Sequence, residues 1–248
     1  MAQTFEVIPL RFHIRARRDV SVDANFLRGG FGKALRHLDR AAYDRLFAPS
    51  RIEGPSGLRD APRPFVIRVT DRKVAAGDEF EFGCNLFDPR ESIDLLVRAF
   101  EAERFEGGDV KRLPLESTRA ASKVRVSFLT PTELKGADRP EFGALFARIR
   151  DRVSTLRARY QDGPIDVDFK AMGERATHVR MTRCEIQHID SQRTSRATGQ
   201  THSLGGFTGV AEYTGDLGEF LSYLEIARWT GVGRQTVWGK GEIACETF

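Results

Sequence analysis

Apolar and polar residues alternate with period two over Phe5-Glu6-Val7 and again over Leu10-Arg11-Phe12-His13-Ile14, with Pro9 between, which predicts a strand. From Asp23 the period lengthens. Leu27, Phe31, Ala34, Leu35 and Leu38 fall on one stripe of a helix, with Asp23 or Asn25 as its cap. A loop rich in Pro and Gly follows, then short strands at Phe65–Val69 and Phe80–Phe87 with Gly77-Asp78 turning between them. Ile93, Leu95, Leu96 and Phe100 line one side of a helix over Pro89–Arg104, and Val110–Leu115 suits a closing strand.

The same order then recurs. Val124–Phe128 alternates until Thr130-Pro131-Thr132 stops it, Pro140–Tyr160 is a long amphipathic helix, and Val179–Ile189 is extended. Arg193–Gly199 reads as a hairpin tip, Phe207–Tyr213 as a returning strand, and Asp216–Arg228 as a helix capped by Asp216. Residues 235–245 close the unit as a strand. Two βαββαβ units, split near residue 118, predict an α+β protein of tandem ferredoxin-like (RRM-like) domains over residues 1–118 and 119–248. The repeat lies in element order alone, for the two halves share negligible identity.

Composition narrows this picture. The chain has 248 residues, 40% apolar and 30% charged, which is globular rather than disordered. No apolar run approaches the roughly 20 residues of a membrane span. Arg11, Arg15, Arg17 and Arg18 follow the first apolar stretch, the wrong order for a secretory signal. Cys84, Cys184 and Cys245 are odd in number and far apart, so a disulfide framework is not expected and a reducing, cytoplasmic setting is. Net charge is +4, and residues 1–60 hold eleven Lys/Arg against seven Asp/Glu. Arginine outweighs lysine. That bias suits phosphate and base recognition, or follows from a GC-rich genome.

The most specific stretch is Gly231-Val-Gly233-Arg234-Gln-Thr-Val-Trp238-Gly239-Lys240-Gly241. It departs from a P-loop in spacing and in lacking the hydroxyl after the lysine, and from a dinucleotide fingerprint in following a helix. What remains is a glycine-rich loop whose bare backbone suits close approach to a phosphate or to a packed helix. Trp229 and Trp238 flank it and suit base stacking or apolar packing equally.

Together with Gly205-Gly206-Phe207-Thr-Gly209 and Tyr213-x-Gly215-Asp216-Leu217, this loop resembles the C-terminal signature of the CRISPR repeat-processing endoribonucleases of the RAMP superfamily. Val126–Lys135 resembles the opening of that family's second domain, Leu27–Leu35 its first helix, and Pro62–Ile67 the strand after it. The resemblance implies two tandem ferredoxin-like domains and an enzyme that cuts repeat RNA in a CRISPR precursor. It implies no metal and no cofactor: the ribose 2′-hydroxyl attacks the adjacent phosphorus, leaving a 2′,3′-cyclic phosphate and a 5′-hydroxyl. Such a reaction needs a base, an acid and cations. The alternative is a non-catalytic RAMP subunit that binds guide RNA among other CRISPR effector subunits. Whether the chain forms a homodimer is left open.

Five histidines compete for the proton transfers. His37 follows Lys33 by four residues and precedes Arg40 by three, which puts them with Gly30 on one helix face beside the apolar stripe. The family often carries its base on or just after this helix, with a tyrosine nearby, which points to His37, Lys33 and Tyr43. His13, within a strand, is the second candidate and is expected to reach the same groove. His178 and His188 flank Cys184, but in a strand Cys184 and His188 stand roughly 13 Å apart, which disfavours zinc. His202 lies in a Gly/Ser/Thr stretch. The RNA-binding expectation covers Arg28, Arg36 and Arg40 of the helix region, Arg193 and Arg196 of the hairpin tip, and Gly231, Gly233, Arg234 and Lys240 of the glycine loop.

Overall fold

A computed structural model describes residues 3–50, 61–117, 119–189, 192–194, 201–203 and 205–248, with side chains undescribed at 192–194 and 201–203. The first half runs β1 (Thr4–Arg15), β2 (Val20–Val22), α1 (Ala24–Leu38), α2 (Arg40–Phe47), β3 (Phe65–Arg68), β4 (Arg72–Val74), β5 (Glu79–Leu86), α3 (Ile93–Phe100), β6 (Arg104–Gly107) and β7 (Lys111–Pro114). The second runs β8 (Lys123–Thr132), α4 (Phe142–Tyr160), α5 (Phe169–Ala176), β9 (Arg180–Ile189), β10 (Gln192–Thr194), β11 (Thr201–Ser203), β12 (Gly206–Thr214), α6 (Leu221–Thr230) and β13 (Ile243–Thr247).

The antiparallel sheet orders are β3-β5-β1-β6 and β13-β8-β12-β9. Both are the ferredoxin-like arrangement, in which the first and third strands of the unit lie in the middle. Strand β1 buries both faces. Leu10 and Phe12 point into the first core, under Phe31 of α1 and Phe100 of α3, whereas Phe5 and Val7 point the other way and join the second core. Val66 of β3 joins them there. Polar clasps reinforce this junction: Gln161 exchanges hydrogen bonds with the Glu6 backbone at 2.9 and 2.7 Å, and the Asn85 amide donates to the Trp229 carbonyl at 3.0 Å. The two halves therefore share one apolar boundary.

Several sequence expectations shift. Leu38 ends α1 and is exposed, so Leu27, Phe31 and Leu35 carry its apolar stripe. The predicted helix over Pro89–Arg104 keeps only Ile93–Phe100, because Arg104 begins β6 and pairs with His13. Strand β8 continues through Pro131 to Thr132, past a register shift opposite Phe207 and Gly209, where a missing N–H is tolerated. Asp216 does not cap α6, which instead continues a 3-10 turn at Gly218–Phe220. The final strand starts only at Ile243, since Thr236–Trp238 forms another 3-10 turn. No helix among the described residues is long and apolar enough to cross a membrane.

Candidate active site

Asp39 shapes the site. Its extended backbone ends α1, its N–H donates to the Leu35 carbonyl, and its carboxylate accepts from the Ala42 N–H at 2.9 Å to start α2. The chain turns back at that point. Tyr43 and Phe47, one helical turn apart, stack at 5.3 Å with nearly parallel rings, and Phe47 lies on Gly32 and Phe31 of α1. A Cβ at Gly32 would stand 2.9 Å from the Phe47 ring, so only glycine lets the two helices close this tightly.

Between the two helices lies an open cleft of about 580 Å³, lined by Arg28, Gly29, Gly32, Lys33, Arg36, His37, Tyr43 and Phe47. The i, i+4 spacing of Lys33 and His37 delivers both to it, and His37 is exposed on the last turn of α1. Arg36 lies 5.8 Å over the Tyr43 ring, and Arg28 lies 5.4 Å over Phe47. No carboxylate among the described residues lines the cleft. A base candidate, a hydroxyl and three fixed cations thus face one space, which is the equipment for holding and moving protons around an anionic phosphorus centre.

The other expected residues fall elsewhere. Arg40 is not on the helix of His37: it opens α2, ion-pairs with Asp44 at 3.1 Å and lies 5.4 Å over the Tyr43 ring without lining the cleft. His13 does not reach the groove. It alternates with Phe12, so it occupies the sheet face opposite α1, with Nε2 3.1 Å from Glu106 and Nδ1 3.3 Å from Arg104. Arg196 lies outside the described residues, and of Arg193 only the pairing of its strand with β11 is described.

The glycine loop turns inward. A Cβ at Gly233 would collide with the Glu133 carbonyl, and one at Gly231 would crowd Gly241 and Arg68, so these glycines admit the protein's own backbone and side chains. Lys240 is buried and donates to the Gly205 carbonyl at 2.9 Å; burial pushes its ammonium down to about 8. That departs from the expected RNA contact. Arg234 is exposed and pairs with Glu133 at 2.7 Å. What the loop does reach is α1: Gly239 packs on Ala24, and the Arg28 guanidinium lies 5.5 Å from the Trp238 ring centroid. Among the described residues no cluster of His, Cys, Asp and Glu is placed to hold a metal ion.

Comparison with known proteins bears on the fold and the family. Residues 126–243 match the family model of CRISPR-associated endoribonuclease Cas6, and residues 5–123 match a second model described as an N-terminal domain. The second half of the chain matches the Cas6 family. No curated protein matches its sequence. Among solved structures, it shares the fold of a product complex of Cas6 (TTHB231), at 14% identity and a TM-score of 0.65 over 97% of this chain and 100% of that one. Thermus thermophilus Cas6 (TTHB231) matches at 15% identity and a TM-score of 0.60, over 99% and 100% of the two chains. The H37A mutant of Cas6 (TTHA0078) matches at 17% identity and 0.58, over 98% and 100%.

For this Cas6-like chain the sequence pointed to Lys33, His37 and Tyr43 but not to Phe47, Gly32 or the docking of Trp238. The i, i+4 pair Tyr43/Phe47 and the glycine at position 32 beside Phe31 on the apolar side of the helix were the available signals. Which surfaces they meet is a tertiary matter.

Proposed function

We propose that the protein cuts the repeat RNA of CRISPR precursor transcripts by attack of a ribose 2′-hydroxyl on the adjacent phosphorus, without a metal ion. His37 takes the 2′-hydroxyl proton as the O2′–P bond forms. The P–O5′ bond breaks, and the departing 5′-oxygen takes a proton from an acid of the same cleft, with Tyr43 as the candidate. Lys33, Arg28 and Arg36 offset the charge that builds on the phosphorane oxygens. The products are a 2′,3′-cyclic phosphate and a 5′-hydroxyl, so atoms and protons balance without a water. One observation carries this reading: Lys33, His37 and Tyr43 share a single arginine-lined cleft. The match of residues 126–243 to the Cas6 endoribonuclease family supports the substrate class.

The test is to incubate the pure full chain with its own locus's repeat RNA in EDTA. A discrete cut ending in a cyclic phosphate, abolished by a 2′-deoxy sugar at the scissile nucleotide, is expected. Binding without a cut would instead mark a guide-RNA-binding subunit, and a cut that survives the deoxy sugar would rule out internal attack.

A further inference from the structure

A second pocket, about 430 Å³, opens where the halves meet, and it shares no lining residue with the cleft of His37. Five cations line it: Arg63, Lys135, Arg148, Arg152 and Arg234, together with the Trp238 ring. Two of these are balanced. Arg234 pairs with Glu133 at 2.7 Å, and Arg148 lies 3.6 Å from Asp151, the pocket's one carboxylate, which Arg150 also holds at 3.0 Å. Arg63 is anchored through Nε on the Phe47 carbonyl at 2.9 Å. Lys135 is exposed and makes no ion pair among the described residues.

Arg152 is different in kind. It is only 8% exposed, its Nε donates to the Thr230 carbonyl at 2.9 Å, and its Nη2 has no acceptor among the described residues. A charge that acts on it from the first half is another cation, Arg68 of β3, whose own Nη atoms lack hydrogen-bond acceptors among the described residues and whose ion-pair partner, Glu242, is 3.8 Å away. Burial and the Arg68 cation push Arg152 down to about 9. A buried guanidinium with an unmet N–H and a like-charged neighbour is costly to fold. Among the described residues no carboxylate pairs with Arg152, whereas an anion in the pocket that it lines would supply the missing opposite charge.

We propose that this pocket is a phosphate-binding site, with Arg152 at its floor and Lys135 at its rim. A phosphate group suits this lining better than a carboxylate because four arginines and a lysine face one pocket, and guanidinium forks match the several oxygens of a tetrahedral dianion. Trp238 gives an attached base or sugar an apolar wall. The phosphate belongs either to the RNA backbone or to a small phosphorylated molecule. The proposal rests on the RNA-cutting reading only for the first of these sources.

The experiment titrates the full chain with inorganic phosphate at constant ionic strength and follows tryptophan emission, since Trp238 is one of two tryptophans and lines the pocket. A saturable change is expected. Arg152→Met should weaken it about tenfold or more while leaving the melting temperature unchanged or raised, because the variant removes an uncompensated buried charge. Lys135→Ala, on the surface and safe for folding, should weaken it about threefold or more. No saturable response, or both variants titrating like the parent, overturns the site. Repeating the titration with saturating repeat RNA carrying a 2′-deoxy scissile nucleotide separates the sources. Loss of the phosphate response assigns the pocket to the RNA backbone; its persistence assigns it to a small phosphorylated ligand. No step needs cleavage, so a protein that binds phosphate but never cuts overturns the proposed function alone, and one that cuts without binding phosphate overturns the site alone.

Discussion

The Arg28 guanidinium lies 5.5 Å from the Trp238 ring centroid and 5.4 Å from that of Phe47. A residue of the cleft in the first half is thus held between α2 and the glycine-rich loop of the second. Gly239 makes this contact geometrically available, for a Cβ there would stand 2.6 Å from the Ala24 Cβ. The loop therefore acts on the cleft through α1, and the two halves of the molecule are coupled at one cation.

That coupling has a kinetic consequence. Trp238→Ala should slow single-turnover cleavage about tenfold by freeing Arg28, whereas Trp238→Phe, which keeps a ring face, should retain most of the rate. Equal losses in both variants would remove the aromatic contact from the account.

His37→Ala should reduce the cleavage rate by roughly 10² to 10⁴-fold with RNA affinity nearly unchanged, the usual worth of one positioned base. Lys33→Ala should lower rate and affinity together, since a cation meets the phosphate before and during reaction. Tyr43→Phe keeps the stack on Phe47 and removes only the hydroxyl, so it isolates the acid role. A fully active His37→Ala enzyme would remove His37 from the mechanism.

Backbone substitutions separate the two kinds of glycine. Gly239 sits at φ +78° against Ala24, so Gly239→Ala should cost about 1–3 kcal/mol in urea unfolding. Gly30 lies within α1 with open space around it, so Gly30→Ala should stabilise by about 1 kcal/mol.

Lys240 carries a pH signature. Its ammonium falls from 10.5 to about 8 on folding, through burial, so between these values the unfolded chain binds more protons. The Lys240 contribution to stability is therefore complete above pH 10.5 and is lost as pH falls through 8. The difference in unfolding free energy between the parent and Lys240→Met, followed from pH 7 to 10.5, should show this rise in the parent. A flat difference would place the ammonium in water.

RNA affinity should fall steeply with salt as counterions are released. Arg36→Ala and Arg234→Ala should each flatten the log–log slope by about 0.7–0.9 if the side chain meets one phosphate. Lys240→Met, with its ammonium on the Gly205 carbonyl, should leave the slope unchanged.

The amino-acid sequence by itself determined the elements and their order. The period-two runs of β1, β8 and β12 and the 3.6-residue stripes of α1 and α4 depend on local geometry, and each element shows which of its faces is apolar. Lys33 and His37 on one face follow from the same local rule. The tertiary structure alone decided what each face meets. Asp39 breaks the helix and so removes Arg40 from the His37 face, and the second buried face of β1 leaves His13 away from α1. A lysine in a glycine loop and an arginine on a long helix read as solvent-facing charges, yet Lys240 is buried against the Gly205 carbonyl and Arg152 is buried where the halves join. Periodicity records the direction of a side chain from its own backbone. Burial, and with it the shifts at Lys240 and Arg152, depends on the distant segment that packs against it, which no local pattern contains.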